Sequence, residues 1–121
     1  MIYLASPYSD QSPIVRESRY DQILHTCMML NRKFPEKLFY SPIVHFHELS
    51  QRYDLPTDAD FWWLKNKAAM DSSEALIVVC LEGWPRSSGV LRELDYARDS
   101  KLPTHFVDLQ GNPVYENHQH T

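Results

Sequence analysis

The chain's 121 residues are enough for one domain of ordinary size and too few for two. Hydrophobic residues make up 43%, so a core can form, while a formal net charge of −4 excludes general attraction to nucleic acid polymers or anionic membranes. A small anion such as a mononucleotide stays admissible, because a few local donors suffice to hold it.

The chain opens on Ile2-Tyr3-Leu4-Ala5, a short apolar run stopped by Ser6-Pro7. Such a run reads as a buried central strand. Ser12 before Pro13 is a helix N-cap followed by a proline in the first turn. From there Val15, Tyr20, Ile23, Leu24, Cys27 and Leu30 recur at helical spacing. The pattern predicts a helix of about five turns that ends before Pro35. Leu38 to Ser41 is a second short strand ended by Pro42, and residues 43–52 suit a short helix carrying His45, His47 and Glu48. Tyr53 to Ala59 is a loop. Asp60 can cap a further helix that holds Phe61-Trp62-Trp63 and runs to about Asp71.

Ala75 to Leu81 is the strongest strand signal, apolar without a break, which implies burial on both faces as in a parallel sheet. A loop follows to Ser88, then a helix over Gly89 to Lys101, and a last strand at His105-Phe106-Val107. Strands alternating with helices predict an α/β fold: a three-layer open parallel sheet of four to five strands, flavodoxin- or Rossmann-like, with helices on both faces. Residues 1–108 form the expected domain, and 109–121 read as a polar C-terminal tail that includes His118 and His120. No signal peptide and no apolar run of roughly 20 residues is visible. Cys27 and Cys80 lie in apolar surroundings without a CxxC pattern, which suits free thiols in a reducing cytoplasm.

Ligands of such sheets bind outside the carboxyl ends of the strands. That rule gathers three loops: Ser6 to Ser9, Ser41 to His45, and Glu82 to Gly89. Ser87, Ser88 and Gly89 open a helix after the strongest strand, where free amides and the helix dipole favour an anion. Glu93 follows one turn after Gly89 on the same face and points a carboxylate towards the cleft. Arg86 beside this turn is a candidate phosphate partner. His45 is a candidate ligand contact near the end of the second strand. His45 and His47, two residues apart, share a face only in an extended segment, and no third ligand accompanies them, so no metal is expected. No GxGxxG or Walker sequence is present, and no cofactor is expected.

The opening Tyr3-Leu4-Ala5-Ser6-Pro7-Tyr8-Ser9 and the segment Ser88-Gly89-Val90-x-x-Glu93-x-x-x-Ala97 resemble the nucleoside 2-deoxyribosyltransferase-like superfamily. More narrowly, the chain resembles a small bacterial and phage subfamily, DUF1937-like. Ser41-Pro42-Ile43 with His45, Phe61-Trp62 and Gly83-Trp84 continue the likeness across about residues 2–107. The resemblance implies a nucleoside or nucleotide substrate and an N-glycosidic hydrolase or 2-deoxyribosyltransferase. Glu93 would be the nucleophile at C1′, with an oxocarbenium-like transition state. Tyr3 would hydrogen-bond Glu93, and Ser6 and Tyr8 would contact sugar or phosphate. The superfamily carries an aspartate a few residues past the Phe-Trp pair as the acid for the leaving base. Here that stretch reads Leu64-Lys65-Asn66-Lys67, which leaves Asp71 as the nearest following acid, or Asn66 as a base-binding residue without a labile proton. The alternative function is a nucleotide-binding module of the same fold without turnover. Superfamily members are typically oligomers, and the Phe61-Trp62-Trp63 cluster suggests a homo-oligomer with Trp62 or Trp63 near its interface.

Overall fold

The computed structural model describes residues 1–114. Four parallel strands form one sheet: β1 (Ile2–Ala5), β2 (Phe39–Tyr40), β3 (Ala75–Val79) and β4 (Thr104–Val107), in the spatial order β2-β1-β3-β4. Four helices connect them: α1 (Pro13–Lys33), α2 (Pro42–Tyr53), α3 (Ala59–Asp71) and α4 (Ser88–Asp99). A short 3-10 turn, Trp84–Arg86, precedes α4. The expected α/β architecture is therefore the one observed, with four strands.

The inner strands β1 and β3 pair along their full length, from Ile2 opposite Ala75 to Ala5 opposite Val78. Their side chains alternate between two cores, as the pleat requires. Leu4, Ile77 and Val79 meet Ile23 and Leu30 of α1 and Ile43 and Phe46 of α2. Tyr3, Ala5, Leu76 and Val78 meet Met70 of α3 and Val90 and Ala97 of α4. Helices thus cover both faces, and this double burial is why β3 is apolar at every position.

Local chemistry sets the helix ends. Ser12 Oγ accepts from the Val15 amide at 3.3 Å and starts α1. Ser41 Oγ accepts from the Val44 amide at 3.2 Å, so Ser41 caps α2 instead of extending β2. The cap of α3 is Asp58, whose carboxylate accepts from the Phe61 amide at 3.1 Å, and not Asp60. Asp60 lies inside the helix and pairs with Arg92 of α4. The strand expected to reach Leu81 ends at Val79, because the Leu81 amide turns back to the Val79 carbonyl.

The chain does not leave the fold at residue 109. Thr26 of α1 donates to the Leu109 carbonyl at 2.8 Å, and Pro113 bridges back to Val107. Gly111, at φ 77°, packs beneath Leu30, where a Cβ would stand 3.1 Å from the Leu30 side chain. The remainder of the expected tail, with His118 and His120, lies outside the described residues. Among the described residues no helix is long and apolar enough to cross a membrane.

Candidate functional site

In the order β2-β1-β3-β4 the chain leaves β1 towards one side of the sheet and β3 towards the other. The connections diverge at their carboxyl ends and open a crevice between them. A cleft of about 340 Å³ lies there, within the usual range of roughly 300–1,000 Å³ for small-molecule sites.

Glu93 forms part of its floor and is 6% exposed. Tyr3 stands behind it, fully buried, and its hydroxyl donates to Glu93 Oε2. Tyr3 therefore contacts the carboxylate without lining the cleft. Burial pushes the Glu93 carboxyl up from 4.5 to about 7, against the opposing pull of the Tyr3 hydrogen bond and of the nearby Arg92 guanidinium. Burial, and after it the charge of Glu93, raises the Tyr3 phenol well above its usual value, so it remains a donor.

One wall is polar. Ser87 caps α4 by accepting from the Val90 amide at 3.2 Å. Ser88 and Gly89 line the cleft in the first turn, where amides have no carbonyl one turn back. Ser6, buried opposite in the loop after β1, lines the same cleft, and its Oγ has no hydrogen-bond partner among the described residues. A buried hydroxyl of this kind suits a polar group of a ligand. Gly83 adopts φ 88°, which favours glycine, and starts the 3-10 turn. A Cβ there would lie 3.3 Å from Nη2 of Arg19 and 3.9 Å from Nη2 of Arg86, so both guanidinium groups reach this point of the rim. Arg19 is fixed by the Tyr8 and Ser9 carbonyls, at 3.3 and 2.9 Å, and leaves its second nitrogen towards Gly83.

The other wall is apolar. Tyr8, Ile43, Phe46 and Trp62 line it, with Asn66 of α3 beyond them. Phe46 stacks on Trp62 with ring centroids 4.5 Å apart, and Tyr8 meets Phe46 edge-on at 5.2 Å. The Trp62 indole donates to the Pro56 carbonyl at 2.7 Å. At 5% exposure Trp62 belongs to the chain's own core, while Trp63 is half-buried against Tyr96. One wall is therefore aromatic and the other polar, where the Arg19 and Arg86 guanidinium groups stand on a rim that Asp10 and Asp58 also line, with the Glu93 carboxylate between the two walls.

The family described as a domain of unknown function, DUF1937, matches residues 1–107, from the first strand to the last. The chain belongs to the DUF1937 family. No curated protein matches it. The whole cleft falls within the DUF1937 domain.

Ser6, Tyr8, Asn66, Arg86, Ser87, Ser88, Gly89 and Glu93 all lie on this cleft, although the two loops are separated by most of the chain. Asp71 and His45 do not. Asp71 sits in the last turn of α3, exposed, where it accepts from the Tyr96 hydroxyl. The helix rises about 1.5 Å per residue from a cleft that its opposite end lines, which carries Asp71 away from Glu93. His45 is exposed and lies against Tyr40, with ring centroids 6.0 Å apart. The buried histidine of this helix is His47. Its Nδ1 lies 2.7 Å from the Tyr8 hydroxyl and its Nε2 3.0 Å from Glu17 Oε1. Arg19, Phe46 and His47 are the residues sequence reasoning missed as site groups. Spacing marks Arg19 only as one polar position of a long helix, and no local pattern joins His47 to Tyr8.

Proposed function

We propose that this protein cleaves the N-glycosidic bond of a 2-deoxynucleoside or its 5′-monophosphate, as a hydrolase or as a 2-deoxyribosyltransferase. The observation that carries the reading is the buried Glu93 carboxylate on the cleft floor, fixed by Tyr3 and flanked by an anion-favouring helix start and an aromatic wall. The resemblance of the Tyr3–Ser9 and Ser88–Ala97 segments to nucleoside 2-deoxyribosyltransferases agrees with it. The ionised Glu93 attacks C1′, the C1′–N bond breaks, and its electron pair leaves with the base. Negative charge beside C1′ stabilises the oxocarbenium-like transition state. Water or a second base then takes the sugar from the Glu93 ester. The base lies along Phe46 and Trp62, and the 5′ end faces Ser88, Arg19 and Arg86.

The reading includes a homo-oligomer, because Leu64 of α3 and Leu91 of α4 are exposed apolar side chains on neighbouring helices. It also places the protein in the cytoplasm: both cysteines are free, and burial raises both thiols to about 11.

Asn66 favours a second reading, a nucleotide-binding module without turnover, because it stands on the cleft where the resemblance expects an acid. A panel of 2′-deoxynucleosides and their 5′-monophosphates, with free base followed by chromatography, separates the two. At least one monophosphate is expected to release base, about tenfold more efficiently than its nucleoside, and Arg19→Ala is expected to remove that preference. Calorimetric binding of a monophosphate with no base released from any compound would establish the binding module instead.

A further inference from the structure

The cleft communicates with the surface through a chain of three side chains. Tyr8 is 5% exposed and lines the aromatic wall. Its hydroxyl meets His47 Nδ1 at 2.7 Å, and His47 Nε2 meets Glu17 Oε1 at 3.0 Å. His47 is 2% exposed, whereas the Glu17 side chain is 56% exposed. Tyr20 stacks on the His47 ring at 4.1 Å and holds it in this plane. The chain is assembled from the loop after β1, from α1 and from α2. It ends at a surface hollow shared by Glu17, Tyr20, His47, Glu48, Gln51 and Arg52.

We propose that Tyr8, His47 and Glu17 form a proton relay from the surface into the cleft, and that Tyr8 delivers the proton to the departing base. The proposal rests on the glycosidic reading and supplies the acid that Asn66 lacks. With Glu17 ionised, an Nε2–H on His47 is directed to Glu17, so the relay proton is the one on Nδ1. With His47 doubly protonated, Nδ1–H donates to the Tyr8 oxygen and the phenol O–H turns to the cleft. As C1′–N breaks, the bonding pair goes to the base, the Tyr8 proton follows it, and the Nδ1 proton moves onto Tyr8. His47 is then neutral. When water attacks C1′ and Glu93 leaves as carboxylate, one water proton passes to Tyr8 and the Tyr8 proton returns to Nδ1. Each turnover thus returns the proton to the ring, and Glu17, open to solvent, is where the relay takes that proton up at the outset.

The charged and titratable groups facing His47 are Tyr8 from the loop, Glu17 and Tyr20 from α1, and Glu48 and Arg52 from α2, with Arg16 beside Tyr8. Glu48 and Arg52 pair with each other at 3.9 Å, which leaves Glu17 as the carboxylate bonded to the ring. Burial raises the Tyr8 phenol, and Glu17 adds to this while Arg16 opposes it. The phenol therefore remains protonated until the base takes its proton.

The test compares a 2′-deoxynucleoside 5′-monophosphate with a 4-nitrophenyl 2-deoxyriboside, whose leaving group departs without a proton. Tyr8→Phe is expected to lower kcat on the monophosphate by about a hundredfold or more and to leave the nitrophenyl compound within a few-fold. Glu17→Gln changes a side chain that is 56% exposed and keeps its size. It is expected to lower kcat on the monophosphate by about tenfold and to leave the nitrophenyl compound within a few-fold, because a neutral amide is a weaker partner for the His47 Nε2–H. His47→Gln is expected to slow the monophosphate by about tenfold or more and to spare the nitrophenyl compound, while the ascending pH–rate limb of Glu93 near 7 remains. Equal slowing of both substrates by Tyr8→Phe, no slowing at all, or an unchanged monophosphate rate in Glu17→Gln would overturn the relay while leaving the glycosidic reading in place. A wild-type protein that cleaves neither substrate would overturn both.

Discussion

Replacing Glu93 by glutamine is expected to lower base release by about 10³-fold or more, while monophosphate affinity stays within a few-fold. The amide keeps the size of the side chain and its place on the cleft floor, but it has neither the charge nor the nucleophilic oxygen. A loss of that size corresponds to about 4 kcal/mol of transition-state stabilisation. The polar wall at Ser88, Arg19 and Arg86 is untouched, so the anion end of the ligand still binds. Chromatography of free base, with calorimetry of binding on the same preparation, reads both quantities. A Glu93→Gln protein that releases base at the wild-type rate would remove Glu93 from the chemistry.

The same substitution has a second large consequence, on stability. Glu93 titrates at 4.5 in an unfolded chain and at about 7 in the fold. Between those values the folded protein holds a proton that the unfolded chain has lost. The Glu93 contribution to stability is therefore complete below about 4.5, falls as pH rises, and is gone once pH has passed through about 7. The full loss is about 3 kcal/mol, the free energy of ionising a buried carboxyl. Urea unfolding of the wild type and Glu93→Gln from about pH 5 to about pH 8 isolates it, because every other titrating group is common to both. The variant is expected to gain about 2 to 3 kcal/mol over the wild type across that interval. A difference that stays constant with pH would show that Glu93 is ionised freely in the fold. The cost also fits a carboxylate used for chemistry: the fold tolerates a buried charge whose stabilisation is needed only when a ligand arrives.

How much of this was legible in the sequence depends on the range of each signal. The unbroken apolar run at Ala75–Leu81 read as a strand buried on both faces, two residues longer than the strand formed, and Ser12-Pro13 read as the start of a helix. The carboxyl-end rule then brought Ser6 and Ser88–Glu93 to one cleft from opposite ends of the chain. The Tyr3–Glu93 bond, across 90 residues, came from the resemblance and not from spacing. Asp58 and Asp60 are both acceptable caps, and what separates them is the reach of Arg92 from α4, a tertiary contact that claims Asp60. Asp71 misled because nearness in sequence along a helix is distance in space. Leu109 to Pro113 read as the start of a tail because turn residues dominate it, yet Thr26 and Leu30 on α1 hold it to the fold. Tyr8, His47 and Glu17 come from three elements, and their union requires the packed structure.

Mass spectrometry of the protein caught during turnover tests the central claim most directly. Wild type mixed with a cleavable monophosphate, quenched in acid and digested, is expected to carry the 2-deoxyribosyl phosphate on the peptide containing Glu93. Free base should be released in an equal amount in the first turnover. Base released in that turnover with the sugar on another residue, or with no sugar on the protein at all, would contradict Glu93 as the nucleophile.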